Sequence, residues 1–243
     1  MIIKHGRMID PESGFDGIAD IVIKDGKIDK IFRDGKGCPE PEDGEETVDA
    51  SGLVVAPGLV DVHVHFRDPG LTYKEDIETG AASAKAGGFT TVVMMANTKP
   101  VIDNEETLRY VLKKGSHTGI HVLSAANITR GMKGKELTDM EALRAVGASG
   151  FTDDGVPIMD VKLLMEAMER AKKLNVPLSL HEEDPAFITN NGINRGAVSE
   201  KLGIGGSPRV AEDSLVARDC MIALYTGACV NVQHISSRNA VAA

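Results

Sequence analysis

Apolar and polar residues alternate in the first 56 residues, in short stretches separated by turns. In ADIVIKDGKIDKIF (19–32), two alternating stretches flank a Lys-Asp-Gly turn, which predicts a β-hairpin. The segments MIIKHGRMID (1–10) and ETVDASGLVVA (46–56) predict further strands. Residues 33–46 are rich in Gly, Pro and acidic residues and predict a loop. We therefore expect a small β module over residues 1–56.

After residue 57 the pattern changes to short apolar runs that alternate with amphipathic helical segments. Such βα alternation predicts a parallel sheet, either doubly wound or closed into a barrel. Six strands are predicted, and we number them in chain order: LVDVHVHF (59–66), TTVVMMAN (90–97), IHVLSAAN (120–127), ASGFTDD (148–154), PLSLHEED (177–184) and CVNVQHIS (229–236).

Four positions between these strands carry helix-start signals. Two have the spacing of a capping box, in which the first residue caps the helix and an acid follows three residues later. The other two are a single capping acid and a Ser-Pro pair. The four are Asp103 with Glu106, Thr138 with Glu141, Asp160, and Ser207 with Pro208.

Composition and charge narrow the classes of function. The chain has 243 residues, 42% of them hydrophobic, and a net charge of −9, which disfavours nucleic acid and anionic membranes as partners. Its three cysteines form no CxxC motif, so no disulfide framework is expected. We see no signal-peptide pattern and no apolar stretch of membrane-spanning length, and we expect a cytoplasmic protein.

Histidine and aspartate cluster at the carboxyl ends of the predicted strands. In a (β/α)8 barrel, catalytic groups come from the ends of several different strands. The other three histidines, His5, His117 and His121, lie elsewhere. The residues at strand ends are His63 and His65 on the first strand, Asp153 and Asp154 on the fourth, His181 on the fifth and His234 on the sixth.

This residue set favours a metal site. Imidazole and carboxylate suit Zn²⁺ or a similar divalent ion, and the set exceeds what one tetrahedral zinc takes from protein. It predicts two metals with a bridging carboxylate, a centre that hydrolyses amides or esters. A lone HxH pair or a lone strand-end histidine is weak support, so the inference depends on the joint pattern.

Five segments together resemble the amidohydrolase superfamily, and within it the class I bacterial dihydroorotases. The resemblance covers essentially the whole chain and implies an amidohydrolase-type (β/α)8 barrel with a small β-sandwich. Residues 1–56 would then be the N-terminal part of the sandwich, and residues 57–243 an incomplete barrel. The segments are APGLVDVHVHFRDPG (56–70), GGFTTVVMMANTKP (87–100), GFTDDG (150–155), LHEED (180–184) and QHISS (233–237).

The resemblance also implies a role for each site residue. Two Zn²⁺ ions, or another divalent metal, would be held by His63 and His65 on one side and by His181 and His234 on the other. Asp154 would bridge them. His65, Arg67 and Asn97 would bind the substrate. Arg67 and Asn97 would bind its carboxylate, a task that suits the planar guanidinium of arginine.

The reaction implied is the reversible cyclisation of N-carbamoyl-L-aspartate to L-dihydroorotate in de novo pyrimidine biosynthesis. In the hydrolytic direction, a metal-bound hydroxide would attack the ring amide. The resemblance allows a homodimer or an association with aspartate carbamoyltransferase, in addition to the small-molecule substrate.

The family's eighth-strand aspartate, which shuttles the proton, has no counterpart in this chain. Residues 57–243 are 187 residues, and at roughly 30 residues per βα unit they suffice for about six units. We therefore expect an N-terminal fragment of a longer protein, truncated after about six strands, with no activity and little stability on its own. Alanine at position 96 and glutamate at position 182 depart from the family's common proline and cysteine, and Glu182 is expected to add negative charge near the site.

Two alternatives stay open. One is a related cyclic amidase, such as an allantoinase or dihydropyrimidinase, although those enzymes typically bridge their metals with a carboxylated lysine and the fourth strand here offers only aspartates. The other is a non-catalytic dihydroorotase-like subunit that serves as a scaffold for aspartate carbamoyltransferase. Such subunits usually lose metal ligands, which this chain retains.

Overall fold

The computed structural model describes all 243 residues, which divide into two compact units, Met1–Leu59 and Val60–Ala243. The first unit is a sheet with strand order β3-β2-β1-β4, in which β5 pairs with the far part of β1. Its strands are β1 (Ile2–Asp10), β2 (Phe15–Lys24), β3 (Lys27–Arg33), β4 (Thr47–Asp49) and β5 (Val54–Val55).

The predicted hairpin is present in this first unit. Strands β2 and β3 pair in antiparallel fashion up to Lys24 and Lys27, and the turn between them contains Asp25 and Gly26, both with positive φ. Met8, Ala19 and Ile21 form its small buried core. No strand or helix lies between Arg33 and Thr47, in agreement with the predicted loop.

The second unit alternates strands and helices. Its strands are β6 (Leu59–Val64), β7 (Phe89–Met94), β8 (His121–Ser124), β9 (Leu178–Leu180) and β10 (Val230–Val232). Its helices are α1 (Ile77–Ala86), α2 (Glu105–Gly115), α3 (Met140–Val146), α4 (Val161–Leu174), α5 (Ala197–Leu202), α6 (Val210–Thr226) and α7 (Arg238–Ala242), with 3₁₀ turns at Arg130–Met132 and Pro185–Phe187. The order of elements is therefore the predicted βα alternation, and the chain is a mixed α/β protein.

The strands of this unit follow one another side by side in chain order. β6, β7 and β8 form one sheet, and β9 and β10 pair in parallel. Phe151 joins the two groups, since it forms a parallel bridge with Ala126 on one side and with Leu178 on the other. This order brings the carboxyl ends of distant segments to a common edge.

The fourth predicted strand, 148–154, is much shorter than expected and consists of this bridging position alone. The backbone of Phe151 bonds to Pro177 and Ser179, and Thr152 bonds to Ala126. Pairing ends there because the next backbone amides of the neighbouring segment, those of Ile128 and Thr129, bind a side-chain carboxylate instead of a strand.

Two of the four predicted helix starts are displaced by one residue. Asn104, and not Asp103, caps α2 by accepting from the amide of Thr107, while Asp103 accepts from the amide of Gly131. Asp139 caps α3 in place of Thr138. In both cases the side chain of the predicted cap bonds to another segment, and the residue after it caps the helix.

Of the other two predicted helix starts, one is correct and one is displaced. Asp160 caps α4 as predicted, and accepts from the amides of Lys162 and Leu163. Helix α6 begins at Val210, later than the Ser207-Pro208 signal, and no side chain caps it. The Ser207 hydroxyl donates to Glu183 at 2.8 Å.

The core of the second unit lies between its sheet and its helices. Its largest fully buried side chains include Phe151, Met94, Leu164 and Met168. Met94 and Met168 pack in this core, whereas Met165, on the same helix as Met168, is exposed. None of the helices combines the length and apolar character that a membrane crossing requires.

Candidate metal centre

Two histidines at the end of β6 form the first half of a cluster. His63 and His65 lie two residues apart, so their side chains leave the strand on the same face. Their Nε2 atoms are 3.2 Å apart. The Nε2 atom of His63 is 3.8 Å from Oδ1 of Asp154, and that of His65 is 3.3 Å from Oδ2.

Two more histidines form the second half, from the ends of β9 and β10. The parallel pairing of these strands places Nδ1 of His181 3.1 Å from Nε2 of His234. Both nitrogens face Oδ1 of Asp154, at 3.6 and 3.5 Å. The five predicted ligands therefore meet in one place. The carboxylate of Asp154 lies between the two histidine pairs.

The protonation state of the cluster suits a cation. Burial raises the pKa of Asp154, but the surrounding imidazoles of His181, His63 and His65 outweigh it and hold that pKa at about 2. Burial lowers the pKa of His63 and His65, so near neutral pH these rings keep a free lone pair. An ionised carboxylate beside the neutral imidazoles of His63 and His65 is a donor set that Zn²⁺ binds.

The spacing of the donor atoms also fits a metal. Ligands bonded to one tetrahedral Zn²⁺ at about 2.0–2.1 Å lie roughly 3.3 Å apart. The two histidine pairs, at 3.2 and 3.1 Å, are close to that separation. His63, Asp154 and His234 also offer three donor atoms that all lie within 4.8 Å of one another.

A polar pair lies beside the cluster. The amide of Asn97, which follows β7, donates from Nδ2 to Asp154 Oδ2 at 2.9 Å, and its Oδ1 lies 3.0 Å from Nδ1 of His65. Arg67 donates to the same Oδ1 at 3.4 Å. No carboxylate pairs with the Arg67 guanidinium, so it presents an unneutralised positive charge next to His65.

Asp153 has a role different from that of its neighbour Asp154, and the sequence did not predict what that role is. Its carboxylate is buried and accepts from the amides of Ile128 and Thr129, from the Thr129 hydroxyl, and from Asn127. Burial raises the pKa of Asp153 against the effect of these bonds. Asp153 thus anchors the segment after β8 and leaves Asp154 to face the histidines.

Glu182 corrects an expectation drawn from the sequence. It is buried, and the desolvation of its carboxyl together with the nearby Asp219 raises its pKa to about 9. The guanidinium of Arg218 donates to Asp219. Glu182 is therefore neutral at pH 7 and does not add negative charge near the site.

Sequence analysis missed Glu212, in the first turn of α6. Its carboxylate accepts from the amides of Ser236 and Ser237, at 3.0 and 2.7 Å, and from the Ser236 hydroxyl at 2.6 Å. These bonds fix the segment directly after His234. An acid in the first turn of a helix is common, so nothing in the sequence marks this one out.

Comparison with known proteins places the chain in a family. Residues 52–240 match the family model described as dihydro-orotase-like. The chain is 60% identical over 237 residues to a dihydroorotase of Clostridioides difficile (strain 630). The alignment covers 98% of this chain and 55% of that protein. It is 52% identical over 241 residues to a dihydroorotase of Streptococcus pneumoniae, which covers 99% of this chain and 56% of that protein.

The fold also resembles a solved structure. The L-hydantoinase (dihydropyrimidinase) from Arthrobacter aurescens matches with a TM-score of 0.81 at 22% identity, over 99% of this chain and 54% of that one. At this identity the likeness concerns the fold alone. The chain spans about half the length of the curated relatives that it matches.

Proposed function

Since this chain belongs to the dihydro-orotase-like family, we propose that the protein containing it is a dihydroorotase, which interconverts N-carbamoyl-L-aspartate and L-dihydroorotate. One observation carries the proposal. Four histidines from three strand ends surround Asp154, beside the unneutralised guanidinium of Arg67, in a chain 60% identical to a dihydroorotase.

The metal ligands in this proposal are the five residues of the cluster. His63 and His65 hold one ion, His181 and His234 hold the other, and Asp154 lies between them. Two Zn²⁺ ions in this cluster would activate a water molecule and polarise the carbonyl oxygen of the substrate. The donor set and its spacing support this assignment, and another divalent metal with similar ligand preferences fits it as well.

The substrate carboxylate, in this proposal, binds to Arg67 and Asn97. A guanidinium binds a carboxylate through two parallel hydrogen bonds, and Arg67 has no acidic partner that competes for it. The Asn97 amide joins this subsite to Asp154, and its Oδ1 lies beside His65, so the three residues orient the substrate relative to the metals. A substrate with a carboxylate is therefore favoured over a cyclic amide that lacks one.

The architecture proposed for the whole protein is the amidohydrolase (β/α)8 barrel with a small β-sandwich. The six consecutive strand positions of the second unit would form its first part, and the sheet of the first unit would belong to the sandwich. The proton shuttle of the family would then come from residues outside this chain, so we propose that residues 1–243 alone are inactive.

The proposal is tested on the full-length protein loaded with Zn²⁺. Hydrolysis of dihydroorotate and cyclisation of carbamoyl-aspartate are followed by absorbance, with allantoin and dihydrouracil as competing substrates. We expect dihydroorotate to be preferred and about two zinc ions to be bound per chain. His181→Asn should abolish both metal binding and activity, while His117→Asn, at an exposed histidine far from the cluster in sequence, should change neither.

Two results would refute it. A preference for allantoin or dihydrouracil would identify a different cyclic amidase. A folded protein that binds no metal and turns over no substrate would identify the scaffold subunit instead.

A further inference from the structure

The loop after β6 carries Arg67, and its backbone has an uncommon conformation. Arg67 has a φ of +59°, a region that residues with a side chain seldom adopt. The amide of Leu71 bonds to the carbonyl of Arg67 at 2.9 Å and closes the loop. Such a conformation persists only where surrounding contacts hold it.

Asp68 provides the strongest of these contacts. Its side chain is fully buried, at 0% exposure, and each of its oxygens has one donor from α2. The Tyr110 hydroxyl donates at 3.0 Å and the Lys114 ammonium at 2.8 Å. Tyr110 and Lys114 are four residues apart, so they lie on the same face of α2.

A second contact joins this loop to the one that carries Asn97. Gly70 has a φ of +84°, and a Cβ atom at this position would lie 1.7 Å from the carbonyl oxygen of Lys99. The amide of Lys99 also bonds to the carbonyl of Pro69 at 2.9 Å. The two loops are thus packed too closely for one to shift without the other.

From these contacts we infer that Asp68, Lys114 and Tyr110 form a positioning unit that holds Arg67 where it selects for a substrate carboxylate. This inference rests on the proposed function, in which Arg67 binds that carboxylate. In this inference none of the three residues needs to contact the substrate. They act through the loop, by fixing the backbone from which the guanidinium extends.

The chemistry explains why a charged anchor has a large effect. An ionised carboxylate buried without a cation is costly, so Asp68 remains inside only while Lys114 faces it. Without Lys114, the loop relaxes and carries Asp68 toward solvent, and Arg67 moves with it. A displacement of about 1 Å in a substrate-positioning group lowers kcat/KM by as much as ~100-fold.

The test uses Lys114→Met in the full-length, zinc-loaded protein. We expect kcat/KM for dihydroorotate to fall roughly 10- to 100-fold, mainly through KM. The value for dihydrouracil, which lacks the carboxylate, should be unchanged. Lys114→Arg keeps the cation and should restore most of the loss, and Lys113→Met, at the exposed neighbouring residue, should match wild type. An equal loss on both substrates would show a merely structural role and overturn the inference, as would no loss at all.

A second readout does not depend on turnover. Phenylglyoxal labels accessible arginines, and peptide mass spectrometry follows the rate at Arg67. We expect faster labelling of Arg67 in Lys114→Met and, to a smaller extent, in Tyr110→Phe. Tyr110→Phe removes one hydrogen-bond donor to Asp68 and keeps the cation, so it provides the test if Lys114→Met does not fold. Unchanged labelling would overturn the positioning role. A wild-type protein that does not hydrolyse dihydroorotate would instead refute the proposed function, while the labelling would still test the anchor.

Discussion

The side-chain amide of Asn97 donates a hydrogen bond of 2.9 Å to the carboxylate of Asp154, across 57 residues of sequence. Through its Oδ1, the same amide contacts His65 and Arg67. Asn97 therefore connects the bridging position of the candidate metal centre to the candidate carboxylate subsite. The geometry of the candidate metal centre therefore depends on the geometry of the carboxylate subsite.

Replacing Asn97 by alanine should impair both parts at once. Asp154 loses a donor and Arg67 loses its neighbour, so kcat/KM for dihydroorotate in the full-length protein should fall roughly 10- to 100-fold. Zinc affinity, measured by competition with a chromophoric chelator, should fall too. Asn191→Ala, at an exposed asparagine with no side-chain hydrogen bond, is the matched control. Normal kinetics in Asn97→Ala would contradict this arrangement.

The same substitution at the two adjacent aspartates should affect different properties, metal binding at Asp154 and stability at Asp153. Asp154→Asn should remove zinc and activity, because the position between the two histidine pairs loses its negative charge. Asp153→Asn should lower stability by about 1–3 kcal/mol, since one of its two buried acceptor oxygens becomes an NH2 donor that faces the donors of the segment after β8. Thermal melting and metal content distinguish the two. If Asp153→Asn were the variant that lost metal at unchanged stability, the assignment would be reversed.

Glu212 should control how well His234 binds metal. Glu212→Gln removes the charge that the Ser236 and Ser237 amides share, and the segment after His234 becomes less fixed. Loss of such an outer contact typically lowers metal affinity about 10- to 100-fold. Glu200→Gln, at an exposed glutamate of α5, should leave affinity unchanged. Equal zinc affinity in both variants would show that the hydrogen bonds do not constrain His234.

The raised pKa of Glu182 predicts a pH-dependent stability. This carboxyl has a pKa of about 9 in the folded state, against an ordinary value of 4.5. Between these values the folded state binds more protons at Glu182 than the unfolded state, so the stability that Glu182 contributes is greatest below pH 4.5 and is lost as pH rises towards 9. The contribution is at most about 1.4 kcal/mol per pH unit.

Glu182→Gln should therefore flatten the dependence of the melting temperature on pH between about 5 and 9, and should raise stability at the alkaline end. The side-chain amide retains a donor toward Asp219 and carries no charge at any pH. Glu169→Gln, at an exposed glutamate of α4, should leave the wild-type profile intact. A steep profile that persisted in Glu182→Gln would rule out Glu182 as its source.

Local sequence patterns predicted the presence of the helices and strands better than the residues at which these elements begin and end. Asp160 caps α4 as expected because nothing else competes for its carboxylate. Asp103 and Thr138 carried equally good signals, but each bonds to another segment and the next residue caps the helix. The fourth strand shortened for a similar reason, since Asp153 withdrew the backbone donors that would have extended it.

In the candidate site, too, the sequence determined some features and the tertiary structure decided others. The sequence by itself determined the donor types and their positions at strand ends, because alternation along a strand and the order of βα units are local and periodic. The family resemblance already pointed to Asp154 as the carboxylate among the histidines. Only the tertiary structure decided that Asp153 binds the segment after β8, that Glu182 is buried and neutral, and that Lys114 and Glu212 contact the loops of Arg67 and His234. Those properties depend on burial and on partners distant in sequence, and no pattern along the chain records which groups folding brings together.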